Sequence, residues 1–408
     1  MPKHVLFVSY DGMTDPLGQS QVLPYLFGLH KKGFLISLIS FEKQDRFLSD
    51  GKYIKELCIK EGIEWHPLSY TKRPPVLSTV FDIWKMKRKF REINSKKKID
   101  LLHCRSYISA FLGMKHRKSI PWIFDMRGFW ADERVEGNIW NIEKPLYKRI
   151  YKFFKKKELQ FFNESAAVVS LTHAGKKEIL SWKELNLSED KISVIPCCVD
   201  LNLFDAVSIP SSETESKKSE LGLSGQKIVG YVGSIGTWYM LSEMLVTFKQ
   251  LKNEEPDCVF LFITREPQEM IIREAIKFGI PAESIKVVSA LHKEVPLYIS
   301  LFGCSIFYIK PSFSKTASSP TKQGELMAMG IPVICNSGVG DTAFVIEKYQ
   351  GGLVVDLNLN GADSISFSSM KQHFNESAAK QGAHEFYSLK AGVDKYEMVY
   401  NTCLSAQK

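Results

Sequence analysis

The chain holds 408 residues, 44% of them hydrophobic and 24% charged, with a formal net charge of +9. That balance excludes a disordered or low-complexity chain, and the length accommodates two or three domains with sizeable cores. The charge is uneven: residues 1–205 carry 35 Lys and Arg against 24 Asp and Glu, the remainder 19 against 21, which points to an anionic partner for the first half, whether phospholipid, lipid diphosphate or nucleic acid, or to a basic solvated face.

The opening run Val5–Tyr10 stops at Asp11, too short for a signal-peptide core. It reads as a first strand. Asp11 to Ser20 is a loop, and Val22, Leu23, Leu26 and Leu29 fall on one face of a following helix. Further strands are expected at Leu35–Ser40, Leu101–His103, Trp122–Phe124 and Ala167–Val169, with helical patterns between them. Residues 207–225 are polar and read as a linker. The cycle restarts at Ile228–Gly233, with strands at Val259–Ile263, Ile285–Val288, Ser305–Ile309, Pro332–Cys335 and Leu353–Val355. A last helix is expected from Ala383 to Leu404. Strands alternating with helices argue for parallel sheets covered on both faces, twice over. Two such halves predict a cleft between the carboxyl ends of their sheets. No stretch of about 18 uncharged apolar residues is present. The eight cysteines show no Cys-x-x-Cys spacing, which fits a reducing cytoplasm rather than a zinc ribbon or a disulfide framework.

The segment Ser318-Ser319-Pro320-Thr321-Lys322-Gln323-Gly324-Glu325 carries the most chemistry. Ser319 is placed to cap a helix, and Pro320 suits its first turn. Gly330 is a natural stop before the next strand. Free N–H groups at such a helix start bind phosphate. Lys322 opposes the helix dipole unless an anion is bound there, and Glu325 lies one turn further on, within reach of a ribose diol.

This segment, with its Gly-Ile-Pro-Val-Ile ending, resembles the donor-binding helix of glycosyltransferase family 4, retaining enzymes of GT-B fold. The resemblance covers nearly the whole chain. Tyr10 to Gln21 is similar to the family's first glycine-bearing loop, Ile195-Pro196-Cys197-Cys198-Val199-Asp200 to the run that closes the first domain, and Tyr231-Val232-Gly233-Ser234 to the opening of the second. It implies that Glu325 holds the ribose and that the helix start meets the diphosphate. Gly18, Gln19, Gly233, Ser234, Ser319, Pro320 and Thr321 then border the donor. Two departures stand out. Ala317 occupies the place of the family's earlier glutamate, and Ser234 with Thr237-Trp238-Tyr239 replaces its basic pair. Substitute cations are expected from Lys322, Arg265 and Lys310.

On the acceptor side, Asp125, Arg127 and Trp130 lie in a charged, aromatic stretch after a strand and match a loop found in one branch of the family. His103 and Arg105 follow a neighbouring strand. The candidate catalytic set is Glu325, Lys322, Arg265, Asp125 and Arg127, with His103, Arg105 and Trp130 for the acceptor. No Asp-x-Asp motif occurs, so neither a metal nor a cofactor is expected beyond the nucleotide-sugar co-substrate, a UDP- or GDP-sugar. The basic aromatic stretches Trp84–Arg91 and Tyr147–Phe162, with Lys96–Lys98, suit an anionic membrane surface or an ordinary domain helix.

The resemblance thus implies two Rossmann-like domains of GT-B type, at residues 1–205 for the acceptor and 206–382 for the donor, with a helix at 383–408 crossing back. The implied activity is retaining transfer of a sugar to a glycan or polyprenyl-diphosphate-linked acceptor in surface polysaccharide synthesis such as lipopolysaccharide or capsule, on the inner face of the cell membrane. The alternatives are another GT-B enzyme, such as a nucleotide-sugar epimerase or a phosphorylase, and a non-catalytic subunit that binds nucleotide sugar or a protein partner. Nucleic acid is not expected as a partner, since no binding module is recognisable.

Overall fold

The computed structural model describes residues 2–357 and 365–406. The chain divides into two compact units, Met1–Pro196 with Leu389–Lys408, and Cys197–Ser388.

The first unit is built on seven strands: β1 His4–Ser9, β2 Leu35–Glu42, β3 Ile63–Ser69, β4 Leu101–Arg105, β5 Trp122–Asp125, β6 Ala167–Ser170 and β7 Ile192–Val194. Their order in the sheet is β3-β2-β1-β4-β5-β6-β7, and every pair is parallel. The second unit has six: β8 Ile228–Val232, β9 Val259–Ile263, β10 Ile285–Val288, β11 Cys304–Phe307, β12 Val333–Asn336 and β13 Gly352–Val355. They run β10-β9-β8-β11-β12-β13, again all parallel.

Each sheet is thus a doubly wound α/β sheet, as the alternation of elements predicts. Its central strands are buried on both faces, so they read as unbroken apolar runs such as Val-Phe-Leu-Phe-Ile in β9. Each large side chain buried there is worth about 1.5–3 kcal/mol relative to exposure. The strand order reverses direction between β1 and β4 in one sheet and between β8 and β11 in the other. At such reversals the loops beyond the strand ends diverge to opposite faces and leave room for a ligand. The expected site residues lie mostly on loops leaving those strands and their neighbours.

Three details differ from the sequence reading. β3 and β7 were not among the expected strands. β3 is an edge-side strand with Pro67 inside it and half-exposed alternating positions, and β7 is three residues long. The polar stretch read as a linker folds into a helix, Ser211–Glu220, entered through Pro210. The last helical stretch divides at Ser388 into helices Glu376–Tyr387 and Leu389–Ser405. The second of these packs in the first unit, with Tyr396 edge-on to Tyr25 at 5.5 Å and Tyr400 edge-on to Phe34 at 5.2 Å.

Candidate functional site

In the first unit the loop after β1 is fixed from beneath by Glu42, the last residue of β2. Its buried carboxylate accepts the backbone N–H of Met13 at 2.8 Å and of Thr14 at 3.0 Å, the Thr14 hydroxyl at 2.6 Å, and the Ser40 hydroxyl. A buried carboxylate is tolerated when hydrogen-bond donors replace its water, and here four do. Gly18 completes the arrangement, because a Cβ there would stand 2.2 Å from the Gly12 carbonyl oxygen. The helix Pro16–Gln21 can approach the loop only with glycine at that position. Gln19 ties back through its amide to the Thr14 carbonyl at 3.3 Å.

β4 and β5 deliver the other polar groups. Parallel register sets His103 beside Phe7 and Arg105 beside both Ser9 and Asp125. Arg105 is buried and pairs with the carboxylate of Asp11, which stands at the surface. His103 is also buried. Its Nε2 lies 3.3 Å from Asp125 Oδ2 and its Nδ1 2.7 Å from the Tyr400 hydroxyl. Tyr396 donates to the same Asp125 oxygen at 3.2 Å.

Burial drives the His103 imidazole below its ordinary value, with Asp125 pulling the other way. Burial also works against an ionised Asp125, but the Arg127 guanidinium, the His103 hydrogen bond and Arg105 outweigh it and hold that carboxyl below its ordinary value. The pair is therefore a neutral imidazole and a carboxylate. Nε2 carries the imidazole proton towards Asp125, and Nδ1 accepts from Tyr400. Asp125 Oδ1 accepts no hydrogen bond, and Arg127 Nη1 lies 3.9 Å from it. Arg127 reaches that place with its backbone in the left-handed region, φ 56°. A small cavity borders this cluster, lined among others by Phe7, Gln21, Tyr25, His103, Asp125 and Tyr396.

Trp130 starts the short helix Trp130–Glu136. Its half-buried ring packs against Tyr107 at 5.6 Å, Trp140 at 5.2 Å and Phe154 at 5.0 Å, with the Arg134 guanidinium 4.9 Å from its centroid. Aromatic packing is what holds it there.

In the second unit the helix expected at Pro320 begins one residue later, as Thr321–Ala328. Pro320 is extended at ψ 119°, outside the helix, and no side chain caps the helix start. Ser319, expected as the cap, accepts the Cys197 N–H at 3.2 Å instead. Lys322 and Glu325 are both buried in the first two turns. His292 Nε2 approaches Glu325 Oε1 to 3.8 Å. Lys322 turns towards the loop after β8, where Gly233 is in the left-handed region at φ 111° and a Cβ would stand 3.4 Å from Nζ. Ser234 is exposed there, and its carbonyl accepts the Tyr231 hydroxyl at 2.6 Å. Arg265, beyond β9, and Lys310, beyond β11, are exposed.

Sequence reasoning missed Glu42 and Lys315. Lys315 is buried in the turn Phe313–Ala317, with its ammonium 3.8 Å from the centroid of the Trp238 ring. Among the described residues no cluster of His, Cys, Asp and Glu is arranged to hold a metal ion, and no helix is long and apolar enough to cross a membrane. The eight cysteines are buried.

Two family models match the chain: "Glycosyltransferase Family 4" over residues 26–203 and "Glycosyl transferases group 1" over residues 212–366. Comparison with curated proteins returns no match. Among solved structures, a glycosyltransferase from Rickettsia africae ESF-5 is similar at 17% identity and TM-score 0.69, with 99% of each chain covered. Sucrose-phosphate synthase from Thermosynechococcus elongatus gives 14% identity and TM-score 0.74, covering 99% of this chain and all of that one. Anabaena Alr3699/HepE, solved with UDP and glucose, gives 12% and 0.69 over 98% of this chain and all of that one.

Proposed function

We propose that this chain, which belongs to the family 4-type glycosyltransferases of GT-B fold, moves a sugar with retention from a nucleotide-sugar donor to a glycan or lipid-linked acceptor of a surface polysaccharide. The observation that carries the reading is the uncapped helix start at Thr321 with Lys322 and Glu325 buried just inside it, within the segment matched by the group 1 model.

In this reading the N–H groups of Thr321 and Lys322 and the Lys322 ammonium meet the diphosphate. Glu325 accepts from the ribose hydroxyls. Pro320, Ser319, Gly233 and Ser234 shape the backbone around them, and Arg265 and Lys310 supply outer positive charge. Negative charge grows on the departing nucleoside diphosphate as the glycosidic bond breaks. Donors fixed in advance stabilise that charge without reorganisation. Gly18 and Gln19 are assigned to donor binding by the resemblance of their loop to the family's first glycine-bearing loop. Asp125, Arg127, His103 and Arg105 order the acceptor, with Trp130 as a packed support. A uridine nucleotide is the first candidate, since the Anabaena protein was solved with UDP and glucose.

Residence on the inner membrane face is supported by the helix Leu77–Lys96. Leu77, Val80, Phe81 and Trp84 are exposed on it. Phe81 and Trp84 stack at 5.6 Å, with the Arg88 guanidinium 5.8 Å from the Trp84 centroid. Apolar and basic groups side by side are what an anionic bilayer surface binds. The second basic helix, Pro145–Glu164, exposes Leu146 and Phe153.

The test is thermal shift of the purified chain with UDP-, GDP-, CMP- and dTDP-sugars beside Glu325→Ala. Stabilisation by one base class, lost in the variant, supports the donor site. A folded chain that responds to none of the four overturns it.

A further inference from the structure

We propose that the rings of Tyr231, Tyr239 and Phe307 form a box that positions Lys322 as the cation for the donor diphosphate. The inference rests on the donor reading above and specifies how its missing basic pair is replaced.

The Lys322 ammonium lies 3.6 Å from the Tyr239 centroid, 4.2 Å from that of Tyr231 and 5.8 Å from that of Phe307. It donates to the Tyr231 hydroxyl at 3.0 Å. That hydroxyl spends its own proton on the Ser234 carbonyl at 2.6 Å, so it acts towards Lys322 purely as an acceptor. An ammonium has three N–H donors, and this contact uses one. On the side of Gly233 there is no side chain to cover it. β8 and the loop after it thus contribute the rings of Tyr231 and Tyr239 where the family resemblance implies cations, and the neighbouring helix contributes the charge.

A lysine buried only for packing is normally matched by a carboxylate. Among the described residues none stands within ion-pair distance of Lys322. The groups that face it are Glu325 on its own helix, with His292 behind that carboxylate, Tyr231 on β8 and Tyr239 on the following loop. Glu266 and Cys197 act at one remove, through the two tyrosines. Burial pushes the Lys322 ammonium well below its ordinary value, and Glu325 opposes this only in part. Ring faces attract a cation but do not neutralise it. A diphosphate does, and its arrival therefore returns the proton that burial has weakened.

The experiment is isothermal titration of the full chain with UDP, GDP, ADP and dTDP at pH 8, each in two buffers of different ionisation enthalpy. The nucleotide that binds is used for the variants. Wild-type protein is expected to take up a fraction of a proton with that nucleotide and less with the matching nucleoside. Tyr239→Leu weakens binding roughly tenfold. Lys322→Met loses the uptake and at least about tenfold in affinity, and Lys322→Arg, whose charge is permanent, binds without uptake. Wild-type uptake retained in Lys322→Arg, or wild-type affinity and uptake in Lys322→Met while Glu325→Ala loses binding, overturns the ring box and leaves the donor site standing. Binding of none of the four nucleotides by wild-type protein overturns the donor reading and this inference with it.

Discussion

The Tyr400 hydroxyl donates to Nδ1 of His103 at 2.7 Å, joining the last helix to β4 across 297 positions of chain. With Tyr396 on Asp125, it makes the terminal helix a structural part of the polar cluster at the β1–β4 reversal. Tyr400→Phe leaves a buried ring nitrogen without its donor. The expected cost is about 1–3 kcal/mol, read from urea unfolding. A loss indistinguishable from zero means that the bond contributes nothing beyond packing.

Glu42 is expected to control the loop after β1. Glu42→Gln keeps the shape but removes the charge and turns one acceptor oxygen into a donor facing N–H groups. Faster amide exchange at Met13 and Thr14 is predicted, with a stability loss of about 2 kcal/mol. Unchanged exchange at both amides contradicts the assignment.

Much of this was legible beforehand, and the reasons differ by residue. The strand–helix alternation and the Pro320–Gly330 punctuation are local patterns, so the two sheets and the helix Thr321–Ala328 follow from them, whereas a donor role for Lys322 and Glu325 is what the family resemblance implies. Glu42 gives no such signal, because one acidic residue at a strand end looks like any surface carboxylate. The contact of Tyr231 with Lys322 spans 91 positions and exists only once the sheet is formed. The packing of Trp130 against Tyr107, Trp140 and Phe154 is equally invisible in the sequence, because it too exists only in the folded unit.

Glu158 gives a pH dependence of stability. Burial pushes its carboxyl up to about 7, against the opposing pull of Lys155 and Tyr107. The folded value lies above the unfolded one, so its contribution is full below about pH 4.5 and is lost as pH rises towards 7, amounting to about 3 kcal/mol. In Glu158→Gln this slope disappears, and the variant gains on the wild type between pH 5 and 8. Parallel urea midpoints for the two proteins across that range contradict the prediction.

Vesicle flotation checks the exposed face of the helix Leu77–Lys96. Binding is expected to vesicles containing phosphatidylglycerol and to be much weaker with phosphatidylcholine alone. The double variant Phe81→Ser, Trp84→Ser loses roughly tenfold or more of that binding. No flotation with either lipid removes this surface from the proposal.

The burial of all eight cysteines gives the native chain a practical silence. Thiol reagents meet no accessible sulfur until the fold opens, so their rate of reaction measures opening directly. A single cysteine introduced at an exposed position such as Lys293 is then the one thiol that a fluorophore labels under native conditions. Spectroscopic work on donor binding can proceed from the wild-type background, with no need first to strip the core of its sulfur.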